Sequence, residues 1–152
     1  MIDTTVVMGK TTFLVRSVHV RSARTMKLTL TRDGRDEWSF DVPQWRGISV
    51  GFGRCPYIWS ARDVVTLPQA LTNDPEVIGF DEDLLLVFQP NGCWIAVCET
   101  SVRLLSGDVE TDRIELGEVV EHARWDGERL VVNDAAGGSV ALAVFEGRLI
   151  PV

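Results

Sequence analysis

Metal-binding and disulfide-forming residues are scarce in this sequence of 152 residues. It contains two histidines and three cysteines, with neither a Cys-x-x-Cys pair nor a His-x₃-His pair. Structural zinc sites are built from such pairs, and disulfide frameworks need an even number of cysteines at regular spacing. We therefore expect no metal ion, no other cofactor and no disulfide, and we interpret the cysteines as reduced thiols in a cytoplasmic protein.

Catalytic and membrane-spanning signals are also lacking. His19 and His122 lie in no recognisable motif, so a paired nucleophile and general base is not indicated. No apolar run approaches the roughly 20 residues that a membrane helix needs. We expect a non-enzymatic protein that does not enter a membrane.

Helix signals are nearly absent, since no window of about 11 residues or more has apolar residues at helical spacing. The chain consists instead of short β-branched or aromatic runs separated by turn residues, which predicts an all-β fold. Residues 26–31 and 37–42 predict a hairpin around Asp33-Gly34, a pair that favours tight turns. Further strands are predicted at residues 13–20, 48–52, 57–60 and 64–67.

One stretch of the sequence occurs nearly twice. Residues 80–105 and 125–150 align without a gap and share seven identities over 26 positions, whereas random matching would give about two. Each copy has a glycine at the same place, Gly92 or Gly137, which supplies the positive φ that a tight hairpin requires. The doubled segment predicts a three-stranded β-meander, to which residues 76–80 and 118–125 would each add a fourth strand.

A four-stranded unit that recurs about 45 residues later resembles a blade of a β-propeller. The aromatic-Asp pairs Phe80-Asp81 and Trp125-Asp126 are similar to part of a blade motif, although the Gly-His pair that accompanies it is missing. The resemblance is to an architecture and to no specific family. A fainter copy, displaced by 38 positions, places Ile48 on Leu86.

We expect one β domain over residues 1–152. Residues 1–75 would hold N-terminal strands and a weak repeat, and residues 76–117 and 118–152 would be the two clear repeat units. Since a closed propeller has at least about four blades and this length holds about three, the array would be incomplete and would pair with a second copy. A β-trefoil of three repeats, and a β-sandwich or barrel containing the meander, are the alternatives.

The charges are divided unevenly along the chain. The net charge is −7, but residues 1–62 carry ten Lys/Arg against five Asp/Glu, and residues 63–152 carry five Arg against seventeen Asp/Glu. The two portions could lie against each other and screen each other's charges. Alternatively, a basic face of one copy could meet an acidic face of another, which would favour a homodimer. A basic patch is predicted on the N-terminal part, formed by Arg16, Arg21, Arg24, Arg32 and Arg35. Nucleic acid is disfavoured as a partner because an acidic protein repels a polyanion.

The five tryptophans are the remaining candidates for binding. Trp45 and Arg46 follow Pro43 in a polar context, and Trp94 is aligned with Ser139, so the repeat does not require an aromatic side chain there. Protein interfaces and sugar sites both use exposed aromatic residues. The sequence therefore predicts a protein-binding or self-assembling β module with a surface at Trp45, Arg46 and Trp94. The alternative is a small-ligand module, for carbohydrate among others, that uses exposed tryptophans.

Overall fold

A computed structural model describes residues 2–43, 48–68 and 72–152 of the chain. These residues form sixteen β-strands and one short 3₁₀ turn at Pro90–Gly92. The strands pair antiparallel in four separate sheets, and each sheet is a meander of four strands that are consecutive in the chain. No helix in the described part of the chain is long and apolar enough to cross a membrane.

The chain divides into two compact units, Met1–Asp81 and Glu82–Val152. The first unit contains two sheets. The first sheet consists of β1 (Ile2–Met8), β2 (Thr11–Val20), β3 (Thr25–Arg32) and β4 (Asp36–Pro43). The second sheet consists of β5 (Ser49–Phe52), β6 (Pro56–Ser60), β7 (Asp63–Thr66) and β8 (Val77–Gly79).

The first unit is held together by the apolar face that each of its sheets presents to the other. Alternate residues of β2 and β3 are buried, because successive side chains of a strand point to opposite faces. The hairpin between β3 and β4 turns through Asp33 and Gly34, both with positive φ, as the sequence predicts. The shared core is formed by Val6, Phe13, Val15, Met26, Leu28, Leu30, Val42, Ile58, Val65 and Leu67.

The second unit has the same construction. Its two sheets are the third, formed by β9 (Leu84–Phe88), β10 (Trp94–Cys98), β11 (Ser101–Ser106) and β12 (Val109–Glu115), and the fourth, formed by β13 (Val120–Trp125), β14 (Arg129–Asp134), β15 (Ser139–Phe145) and β16 (Arg148–Pro151). Their last strands lie side by side, since the Leu149 amide donates a 2.7 Å hydrogen bond to Asp112. The core between them is formed by Ile95, Val97, Val102, Leu104, Val120, Leu130, Val132, Leu142 and Leu149.

The predicted all-β fold of repeated four-stranded antiparallel meanders is confirmed, with differences in detail. The described chain has four sheets rather than about three repeats, because residues 2–43 form a complete sheet. The additional strand expected at residues 118–125 is present as Val120–Trp125, the first strand of the last sheet. Residues 76–80 were expected to complete the third sheet, but Val77–Gly79 pairs with β7 of the second sheet. Four separate sheets also differ from the three repeats of a trefoil and from a two-sheet sandwich.

The doubled sequence does not mark equivalent positions in the two sheets. It superimposes β9, β10 and β11 on β14, β15 and β16, which are the first three strands of one sheet and the last three of the next. The buried residues that it aligns, such as Leu104 with Leu149, belong to faces that pack against each other. The echo therefore reflects the common chemistry of meanders that share a core. The fainter copy, displaced by 38 positions, aligns β6 with β10 and β7 with β11, which have the same places in their sheets.

Candidate functional site

The predicted tryptophan surface is only partly within the described residues. Trp45 and Arg46 lie outside them. Trp94 is in β10 and only 4% exposed, so its indole does not offer a surface to a ligand. The assignment of Trp94 to an exposed site rested on the absence of an aromatic residue in the aligned copy, and that signal carries no information about burial.

The five arginines of the predicted basic patch are spread over the first sheet. Arg21 and Arg24 lie in the exposed turn between β2 and β3, and Arg35 lies in the turn at the opposite end of β3. Arg16 is in the middle of β2, where its guanidinium pairs with Asp3 at 3.0 Å. The side chain of Arg16 holds the pKa of the Asp3 carboxyl below its usual range.

Arg32 has a structural role in the core face of the first sheet. It is 3% exposed, pairs with Asp36 at 2.9 Å and lies 4.8 Å above the ring of Trp38. It also donates a 2.9 Å hydrogen bond to the carbonyl of Asn73. The signal was available in the sequence, because Met26, Leu28, Leu30 and Arg32 alternate along β3 and alternation predicts one shared face.

An open cleft of about 310 Å³ lies beside this ion pair and is lined by Arg32, Asp33, Arg35 and Asp36. Its lining carries two positive and two negative side chains, so it selects no sign of ligand charge. Asp33 accepts a hydrogen bond from the Thr12 amide at 2.8 Å, and Arg32 is engaged as above. The residues that line the cleft are therefore engaged in stabilising the β3–β4 hairpin, and the cleft is not a candidate binding site.

A nucleophile-elbow spacing, Gly-Ile-Ser-Val-Gly, occurs at residues 47–51. In enzymes that use this motif the serine sits on a sharp strand-to-helix turn. Here Ser49 is the first residue of β5 and lies opposite Trp59 in an antiparallel ladder. Gly47 is outside the described residues. The described geometry at Ser49 is that of a strand and not of an elbow.

The potential metal ligands are dispersed. Within residues 2–43, 48–68 and 72–152, no group of three or more His, Cys, Asp or Glu residues is arranged to hold a metal ion. The three cysteines are free thiols. Burial raises the pKa of the Cys55 and Cys93 thiols, which disfavours the reactive thiolate.

A buried polar network lies at the start of the second unit, around Glu82. Glu82 accepts hydrogen bonds from the amide of Thr100, from its hydroxyl at 2.8 Å and from Ser101 at 2.8 Å, and it pairs with Arg103 at 2.9 Å. Burial alone would raise the pKa of Glu82, but these donors outweigh it and hold the pKa below its usual range. Ser101 and Arg103 are both buried. These partners lie inside the second unit, so the network stabilises the β9–β11 region.

The outer face of the fourth sheet is the strongest candidate for binding. It points away from the shared core, and cross-strand pairing arranges its residues in rows. One row contains Arg129, Ala143 and Ile150, and the next contains Arg124, Val131 and Ala141. A third, at the end of the β15–β16 hairpin, contains Phe145 and Arg148. We call these eight residues the arginine-rimmed face.

The arginine-rimmed face combines exposed apolar surface with one sign of charge. Phe145 is 61% exposed, and Ile150 is also exposed, while Val131, Ala141 and Ala143 beside them are half-buried. Its three rows include no acidic residue, although Asp126 contacts Arg129 and Asp112 lies near enough to Arg148 to interact with its charge. Exposed apolar patches with a charged rim are typical of interaction sites.

The other two arginines of the second unit are committed elsewhere. Arg103 pairs with Glu82, and Arg113 pairs with Glu110 at 3.1 Å and Glu115 at 3.2 Å. The remaining three all lie on the arginine-rimmed face, where Arg129 has one long 3.4 Å contact with Asp126. Three of the five arginines of this acidic unit therefore lie on one sheet face.

The outer face of the first sheet is also uncovered but is mainly polar. Its rows contain Thr5, Leu14, Thr31 and Glu37, then Asp3, Arg16, Thr29 and Ser39, and then Val18, Lys27 and Asp41. We call these eleven residues the threonine-rich face. Val18 is 40% exposed. The face carries three acidic and two basic side chains, so its net charge is opposite to that of the arginine-rimmed face.

Together, the repeated four-stranded meanders define a β-propeller-like protein. No family model matches this chain, and no curated protein matches it. Among solved structures, it is similar to the crystal structure of BBS1N in complex with ARL6DN, soaked with mercury, with a TM-score of 0.54 and 10% sequence identity over 95% of this chain. That structure is a β-propeller domain. This chain spans 51% of its length, and at this identity the likeness concerns the fold.

Proposed function

We propose that this chain is a non-catalytic protein-interaction module that assembles as a homodimer. The arginine-rimmed face carries the proposal, because it exposes Phe145 and Ile150 beside three arginines. Burial of such apolar side chains is the main driving force for association, and arginine is enriched in protein interfaces.

Two further observations support this function. The solved relative in fold, BBS1N, is itself in complex with a protein, ARL6DN, and this chain spans 51% of its length. A second copy would therefore supply about as much β-structure again. The alternative of a carbohydrate site relied on exposed tryptophans, and Trp94 is buried, so it would not contribute to such a site.

Static light scattering after size-exclusion chromatography tests this proposal. At micromolar concentration and low salt, we expect a molar mass twice the 16.9 kDa of one chain. Because arginines contribute to the contact, high salt should weaken the association. A monomer at every concentration and salt condition would contradict the homodimer.

A further inference from the structure

Building on the homodimer above, we propose that the arginine-rimmed face of each copy packs on the threonine-rich face of the other copy. The contact would repeat the relation between sheets that is already present inside each unit, where two four-stranded meanders pack face to face. Both surfaces are the uncovered sides of sheets whose other sides form a core.

Charge favours this pairing over the pairing of two identical faces. If two arginine-rimmed faces met across a two-fold axis, six arginines would be brought together. In each copy Asp126 contacts Arg129 and Asp112 lies near Arg148, which leaves Arg124 as the arginine with the least compensated charge. The threonine-rich face instead offers Glu37 and Asp41 on its edge strand β4, while Asp3 is already paired with Arg16. Like charges that face each other in an interface are strongly unfavourable. The opposite net charges of the two faces therefore favour the pairing of an arginine-rimmed face with a threonine-rich face.

Interface area indicates that the pairing is reciprocal. Four strands spaced by about 4.8 Å, each about six residues long at about 3.3 Å per residue, present a face of roughly 400 Å². One contact would bury roughly 800 Å² on both sides together, which is below the size of stable complexes. Two contacts would bury roughly 1,600 Å², which is the standard size of a specific interface.

The exposed side chains on the two faces suit such a contact. The small side chains of Ala141 and Ala143 leave room for the branched side chains of an opposing sheet. The larger Ile150 and Phe145 lie beside them in the same ladder. Leu14 and Val18 of the threonine-rich face are apolar, and threonine methyl groups pack well on a pleated surface. A second copy of this chain therefore matches the arginine-rimmed face in secondary structure, size and charge.

A charge-swap experiment tests the pairing. One variant carries Arg124→Glu and Arg148→Glu, and the other carries Glu37→Arg and Asp41→Arg. Each variant alone would face like charge at both contacts, so we expect its dimer dissociation constant to rise about a hundredfold. In an equimolar mixture both contacts regain opposite charges, and sedimentation velocity should show a heterodimer.

The matched control is Arg21→Glu with Arg24→Glu, which makes the same charge change in an exposed turn outside both faces. This control should dimerise like the natural chain. Restoration of the dimer on mixing also shows that both variants are folded. If the natural chain dimerises and both variants dimerise equally tightly, the proposed pairing is wrong but the homodimer stands. If the natural chain is monomeric, the homodimer itself is wrong. An open series of larger oligomers would overturn the reciprocal closure.

Discussion

Replacement of Glu82 by alanine tests whether the polar network stabilises the second unit. The substitution removes the acceptor for Thr100 and Ser101 and an acidic partner that lies 2.9 Å from Arg103. The Arg103 side chain is 7% exposed, so its charge cannot be rehydrated without local opening. Loss of one member of a buried ion pair leaves an uncompensated charge, which is more costly than loss of the pair.

The size of the effect follows from this geometry. Breaking a buried ion pair by removing one partner costs about 3 to 5 kcal/mol. Arg103 would retain Glu110 at 3.8 Å, and the Glu82 side chain is 18% exposed, so the lower end of that range applies. We expect the free energy of unfolding to fall by about 3 kcal/mol. Glu82→Gln keeps acceptor capacity for Thr100 and Ser101 and should cost about half as much.

Urea unfolding followed by tryptophan fluorescence measures the change, with circular dichroism as a second probe. The matched control is Glu115→Ala, which breaks the exposed pair with Arg113 outside both proposed faces and should shift the midpoint very little because solvent screens both charges. If Glu82→Ala and the control have equal small effects, the network is not a stabilising element and the reasoning from burial is wrong.

The same network predicts how stability depends on pH. The pKa of Glu82 in the folded chain lies below its ordinary value of 4.5, so the unfolded chain binds a proton more readily at that site. The stabilisation is therefore complete above about pH 4.5 and is lost as the pH falls through the folded pKa. Unfolding at a series of acidic pH values should show this loss in the natural chain and a weaker slope in Glu82→Gln. Equal slopes would contradict the assignment.

Further substitutions test three features of the first unit. Gly51→Ala would place a Cβ inside the ring of Tyr57, which crosses this glycine, and overpacking should lower the free energy of unfolding by about 1 to 3 kcal/mol in urea titrations. Arg32→Ala should cost about 2 kcal/mol, while Arg35→Ala in the adjacent turn should cost less than about 0.5 kcal/mol; equal losses would refute the structural role of Arg32. Gly34 has a φ of 68°, and Gly34→Ala should lower the melting temperature by a few degrees, corresponding to about 1 kcal/mol.

Much of the fold could be predicted because strands leave local signals. The Asp33-Gly34 hairpin, the 118–125 strand and the meanders of the second unit all follow from turn residues and β-branched runs. The strand Ile2–Met8 was missed because aspartate and two threonines interrupt its apolar pattern. Val77–Gly79 was assigned to the wrong sheet, since a three-residue strand between two meanders has no local feature that chooses its neighbour.

The candidate surfaces were harder to predict than the fold. The arginine-rimmed face could have been read from alternation, because Arg129 and Arg148 precede the buried Leu130 and Leu149. What alternation does not give is which face of a sheet is left uncovered. Glu82 gave no signal either, since its partners lie about twenty positions away in the chain. Such contacts are set by tertiary packing and not by local pattern.

Hydroxyl-radical footprinting of Phe145 tests most directly whether copies of this chain cover the arginine-rimmed face. Phe145 is 61% exposed and Phe52, which lies on neither proposed face, is 71% exposed, so the two phenylalanines of one chain serve as probe and control. As the protein concentration rises from the monomer range to the dimer range, we expect oxidation of Phe145 to slow severalfold while that of Phe52 stays constant. A Phe145 oxidation rate that does not change while the molar mass doubles would show that the dimer uses another surface.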